Sequence, residues 1–146
     1  MNYWLMKSEP DVFGIHHLKE VKIEPWDGVR NYQARNMMRD DMKKGDIAFF
    51  YHSNCDQPGI VGLMTIHRGG YPDDTAWDPE CKYFDPKASP DNPRWFRVDV
   101  KYKKTFKRTI TLAELKADPE LSDFKLVQKG SRLSILPVSV REYQHI

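Results

Sequence analysis

Cysteine is nearly absent: Cys55 and Cys81 are the two in 146 residues, far apart and outside any Cys-x-x-Cys pattern. That excludes a disulfide framework and a cysteine zinc site, and it predicts reduced thiols in an intracellular protein. Long apolar runs are missing as well, so no segment is suited to span a membrane. The N-terminus shows no basic stretch followed by an apolar one, which leaves a cytoplasmic location as the default expectation. An excess of charge of one sign is also lacking. The formal net charge is +2, too weak to indicate nucleic acid by itself, so such a partner must be argued from where the charges sit. There is no nucleophile elbow, phosphate loop or metal-ligand cluster. His16 and His17 are adjacent, which on a helix points them apart. No catalytic residue, metal or cofactor is expected.

What is present suits one globular domain over residues 1–146. Hydrophobic residues make up 40% and charged residues 30%, enough to bury a core. Tyr3-Trp4-Leu5-Met6 is a short apolar run that ends at Lys7-Ser8-Glu9-Pro10, the pattern of a buried strand entering a turn. Asp11 can cap a helix over Val12 to Lys19. After a loop at Pro25-Trp26-Asp27-Gly28, Asn31 can cap a second helix that Gly45 ends. Ala34, Met38 and Met42 recur every four residues there and face the core; Arg35, Arg39 and Lys43 form the neighbouring stripe. Ile47–His52 and Ile60–Ile66 are strands, and Trp95–Tyr102 alternates as a half-buried strand does. Tyr71–Pro93 holds five prolines together with Trp77, Tyr83 and Phe84, and is expected to be a long ordered loop. Thr111 and Glu114 form a capping box, and Leu133–Leu136 is a last strand closed by Pro137. Short strands with short helices between them predict an α+β fold, a small and partly open β-barrel with helices packed outside.

Several long strings carry a family resemblance over essentially the whole chain. They are Tyr3 to Pro10, Trp26 to Asn36, Phe50-Tyr51-His52-Ser53-Asn54, Pro58 to Gly62, Tyr71-Pro72-Asp73, Tyr83 to Lys87, Pro93 to Phe96, and Gly130 to Ser134 with Pro137-Val138. Together they resemble the EVE domain, closest to its thymocyte nuclear protein branch and the stand-alone bacterial relatives. The resemblance implies a PUA-like barrel, related in outline to the YTH readers of methylated adenine. It implies binding of DNA or RNA that carries a modified base, a modified cytosine above all. Nuclear relatives carry an N-terminal extension, so the bare form and a cytoplasmic monomer are expected here, with no membrane or metal partner.

A reader of one modified base must take it out of the stack and hold it on an aromatic ring. Trp26, in a loop beside charged residues, is the first choice for that platform; its alternative is to plug the barrel end. Ser8 and Glu9 leave the first strand where a barrel mouth would lie, and a carboxylate can accept from a cytosine amino group. Their alternative is helix capping. His52, Ser53 and Asn54 leave another strand in the equivalent way, supported by analogy with YTH domains. Tyr51 is a further pocket candidate, although strand alternation can turn it to the opposite face. For phosphate, Arg30 precedes the Asn31 cap, and a guanidinium at a helix N-terminus is a ready anion site. Arg35 and Arg39 extend it, and the resemblance adds Arg132. A second basic run, Lys101, Lys103, Lys104, Lys107 and Arg108, reads as a solvated face. The competing function is a small ASCH-like hydrolase of modified nucleosides, with Lys7 and Glu9 as its base and acid.

Overall fold

A computed structural model describes residues 1–128 and 133–146. Its centre is a six-stranded mixed sheet in the order β2-β5-β4-β3-β1-β6. The strands are β1 (Tyr3–Ser8), β2 (Ile23–Trp26), β3 (Ile47–His52), β4 (Gly59–Pro72), β5 (Phe96–Thr111) and β6 (Ile135–Val138). Strands β1 and β3 pair in parallel, from Tyr3 opposite Ile47 to Ser8 opposite His52, and the other pairs are antiparallel. A parallel pair needs a long crossover. Here it holds helices α1 (Pro10–Phe13), α2 (Ile15–Val21) and α3 (Tyr32–Asn36), with β2 between them. Helices α4 (Leu112–Ala117) and α5 (Val140–His145) follow β5 and β6.

The fold is α+β as expected, and among the described residues the sheet is not closed. Its two edge strands each carry a proline, Pro25 in β2 and Pro137 in β6. Proline has no N–H to donate, so neither edge can extend a complete ladder to another strand. The same residue revises the last strand, which runs through Pro137 rather than stopping before it. Edge position makes that tolerable. Strands β4 and β5 are longer than their apolar runs suggested, and four register shifts along their pairing let them coil.

Strand alternation divides the core between the two faces. Met6, Phe50, Met64, Trp26 and Val98 pack on one side with Leu18 of α2 and Met38. Leu5, Phe49, Tyr51 and Ile60 pack on the other, under Leu121 and Phe124. Phe50 is fully buried, worth about 1.5–3 kcal/mol in removed apolar surface.

The helix expected over Val12 to Lys19 is two short helices broken at Gly14. The Gly14 amide donates to His17 Nδ1 at 2.8 Å rather than to an earlier carbonyl. The second helix starts as expected, with the Asn31 Oδ1 accepting from the Ala34 amide at 3.0 Å. After Asn36 it widens into a π-helical turn over Met37–Asp41, closed by the Met42 amide on the Met37 carbonyl at 2.9 Å. Ala34, Met38 and Met42 are buried as their spacing predicts. Between β4 and β5, the expected long loop carries one 3-10 turn, Asp74–Trp77.

Candidate nucleic-acid interface

The C-terminal ends of β1 and β2 open on one cavity of about 410 Å³, within the range that holds a small ligand. Ser8, Glu9, Trp26 and Arg30 among the sequence-predicted residues line it, with Glu24, Asp27, Lys82 and Tyr83 opposite or between them. Tyr51, His52, Ser53 and Asn54 do not line it.

Trp26 is not in a loop. It is the last residue of β2, paired with Val98, and only 8% exposed. Its ring meets Phe50 edge-on at 5.5 Å, so it plugs the core and offers the cavity only part of its surface. The more open aromatic wall is Tyr83, which the sequence did not single out. Gly28 explains its placement. With φ +76°, Gly28 occupies the left-handed region, and a Cβ there would come within 2.5 Å of Tyr83 Cζ. The tyrosine ring therefore lies directly on the glycine backbone, with Lys82 Nζ 4.9 Å from the ring centre.

Asp73 ties these two parts of the wall together. Its side chain is fully buried, and Oδ2 accepts from the Gly28 amide at 2.9 Å and from Arg30 Nη1 at 3.1 Å. Oδ1 accepts from the Thr75 amide at 3.0 Å. Burial alone would raise this carboxyl, but the Thr75, Gly28 and Arg30 hydrogen bonds outweigh it and hold it below the ordinary carboxylate range. Arg30 Nη2 donates to the Tyr83 carbonyl at 2.8 Å, and Arg30 Nε to the same oxygen at 3.2 Å. Arg97 adds a second cation, 3.2 Å from Asp74 and 3.7 Å from both Asp27 and Asp73.

This network gives the residues of the expected anion site partners within the protein. Arg30 is committed to Asp73, Thr75 and the Tyr83 carbonyl, and Asn31 to its cap. Arg35 donates to the Arg94 carbonyl and the Asn36 side chain, and Arg39 to its neighbour Asp40. The Arg30 contacts are partly buried, whereas the Arg39–Asp40 pair and the Arg35–Asn36 contacts lie at the exposed surface. Arg132 lies outside the described residues. Lys101, Lys103, Lys104 and Lys107 stand exposed along β5 and enter no ion pair among the described residues.

The polar strand exits are joined by structural hydrogen bonds. Ser8 donates to the Phe13 carbonyl at 2.7 Å, closing α1. Glu9 accepts from Asn54 Nδ2 at 2.8 Å at the cavity rim. The Ser53 amide donates to the Ser8 carbonyl. His52 Nε2 accepts from the Ile15 amide at 3.1 Å and so begins α2. Burial and the charge of His16 push its imidazole below the ordinary value. Tyr51 faces the opposite core, as alternation along β3 requires.

Electrostatically the cavity is mixed. Three carboxylates, Glu9, Glu24 and Asp27, share it with Lys7, Arg30 and Lys82. Burial raises the Glu24 carboxyl, helped by the charges of Asp27 and Asp99. Burial and the charge of Asp73 raise Asp27 against the pull of Arg97. Burial lowers the Lys7 ammonium. A concave, aromatic, nearly balanced site suits an uncharged planar group with polar edges better than a phosphate.

Residues 2–146 match the model of the EVE domain. Thymocyte nuclear protein 1 of Danio rerio is 44% identical over 162 residues, covering 98% of this chain and 69% of that protein. A Pseudomonas putida protein of known crystal structure has a TM-score of 0.95 at 52% identity, covering 98% of this chain and 95% of that one. Human THYN1 protein, solved in complex with DNA containing 5-methylcytosine, has a TM-score of 0.93 at 43% identity, covering 99% and 95%. No catalytic family is indicated by these matches.

Proposed function

The chain belongs to the EVE-domain family, and on that premise we propose that it is a reader module that binds DNA carrying a modified cytosine and takes that base into the cavity. The observation that carries this is the cavity itself, walled by Tyr83 and the exposed part of Trp26 and edged by Glu9, Glu24 and Asp27. An extruded base forfeits roughly a few kcal/mol of stacking and pairing. An aromatic wall returns about 1–3 kcal/mol of it, and polar edges select which base is worth extruding. The likeness to human THYN1 bound to 5-methylcytosine DNA supports cytosine as the base. Lys82, exposed at the mouth beside Tyr83, is the cation best placed for the flanking phosphate.

The test is a titration of fluorescent oligonucleotides that differ at one position, 5-methylcytosine or cytosine, as DNA and as RNA. The methylated DNA strand is expected to bind more tightly. Tyr83→Ala is expected to reduce that affinity by about 1–3 kcal/mol with little change in melting temperature. Equal affinity for the two bases would remove the reader function, and release of a product from a modified nucleoside would favour the hydrolase.

A further inference from the structure

A reader of 5-methylcytosine faces a competitor that is common in every DNA strand. Thymine carries the same 5-methyl group on the same ring, so a contact with the methyl cannot tell the two apart. They differ at positions 3 and 4. The cytosine edge offers a 4-amino donor and an unprotonated ring nitrogen; the thymine edge offers a 4-keto acceptor and an N–H. Discrimination therefore needs an acceptor aimed at position 4.

Strand β2 supplies one at an unusual place. Glu24 and Trp26 are two residues apart and paired with Val100 and Val98, both core residues of the same face. Alternation thus turns a glutamate towards the side on which Trp26 is buried, where an apolar residue would be ordinary. Pro25 between them marks β2 as an edge, so the cavity can open along it. Among the described residues the Glu24 carboxylate has no hydrogen-bond or ion-pair partner. Glu9, by contrast, is occupied by Asn54, and Asp27 shares Arg97 at 3.7 Å. Glu24 is the carboxylate left open to the cavity.

We propose that Glu24 accepts a hydrogen bond from the 4-amino group of the bound base, so that the pocket admits 5-methylcytosine and rejects thymine. The proposal rests on the base-reading function above and deepens it by naming the residue that tells a cytosine from a thymine. A 4-keto oxygen would face the carboxylate with two acceptors and no proton between them, which is the repulsive element that selectivity requires. Burial and the charges of Asp27 and Asp99 make Glu24 easier to protonate than an ordinary glutamate. Protonation would supply a hydroxyl able to donate to a 4-keto oxygen, so the rejection of thymine belongs to the ionised carboxylate and should weaken as pH falls.

The experiment compares three otherwise identical single strands, carrying 5-methylcytosine, cytosine or thymine, against the full chain and its Glu24→Gln and Asp27→Asn variants. The unaltered protein is expected to prefer 5-methylcytosine over thymine by roughly tenfold to a hundredfold. Glu24→Gln is close in size and its amide can donate to a keto oxygen. It should bring that ratio to within about threefold and leave the preference for 5-methylcytosine over cytosine in place. Asp27→Asn should change the ratio less. A thermal melt confirms that each variant is folded. If thymine and 5-methylcytosine bind the unaltered protein alike while cytosine binds more weakly, the Glu24 assignment is overturned and the reader function stands. A folded Glu24→Gln protein that keeps its discrimination overturns the assignment equally. If all three bases bind alike, the reader function itself falls.

Discussion

Replacing Arg30 separates a structural role from a nucleic-acid role more sharply than any other substitution in this chain. In Arg30→Ala the buried Asp73 carboxylate loses the Nη1 donor at 3.1 Å, and the Tyr83 carbonyl loses both of its guanidinium hydrogen bonds. Removing one partner of a buried ion pair typically costs about 3–5 kcal/mol, because the remaining charge is left without compensation. Two observations place the expected loss near the lower bound. Arg30 is itself 23% exposed, and Arg97 remains 3.7 Å from Asp73 as a second cation. A loss of about 3 kcal/mol corresponds to a fall of roughly 6–12 °C in Tm for a domain of this size. The assay is urea denaturation followed by tryptophan fluorescence, beside calorimetry, with Arg39→Ala as control. Arg39 pairs with Asp40 where both side chains are well exposed, so its removal should stay within about 0.5 kcal/mol. An Arg30→Ala protein that melts like the unaltered chain would refute this reasoning. If it also lost affinity for all strands alike, with a salt slope smaller by about one, Arg30 would be a phosphate contact after all.

Two further outcomes follow from the same geometry. Gly28→Ala must place a Cβ against the Tyr83 ring at a left-handed backbone position; it should cost about 1–2 kcal/mol of stability and weaken binding of the methylated strand by moving the tyrosine, and unchanged binding in the titration would show that Tyr83 is not a pocket wall. His52 is held neutral by burial and serves as acceptor for the Ile15 amide, so between its depressed folded value and about 6.5 the unfolded chain binds more protons; stability should be complete above about pH 6.5 and fall as pH drops below it, and His52→Gln should abolish that slope in urea titrations from pH 7.5 to 5.

The parts of the fold visible in the sequence are those set by neighbouring residues. Ile47–Tyr51 is an uninterrupted apolar run, and β3 covers it and His52. Asn31 caps its helix, and Thr111 with Glu114 forms the expected capping box. These depend on contacts a few residues apart, which local chemistry governs. The cavity depends on contacts that no local pattern encodes. Asp73 reaches Gly28 and Arg30 across more than forty positions, and Tyr83 is aligned by a glycine still further away. Arg30 beside a helix cap looked like an anion site for a sound local reason. The carboxylate that occupies it comes from a distant loop. Glu24 escaped notice for the opposite reason, since an isolated glutamate near the surface is ordinary until its strand register shows which face it is on.

Trp26 illustrates why that distinction matters for assigning function. It lines the cavity and is also packed into the core against Phe50. Deleting a buried tryptophan typically costs about 3–5 kcal/mol, so weakened binding by Trp26→Ala cannot by itself separate a lost platform from a loosened fold. Tyr83 is different, because it is only partly buried and its loop is anchored through its carbonyl oxygen, which any residue at that position retains. The side chain can be removed while the anchor persists. On the proposed reading, recognition rests with the ring of residue 83 and stability with the backbone that carries it, so the proposed pocket is best probed at the residue whose loss leaves Asp73 and Arg30 paired.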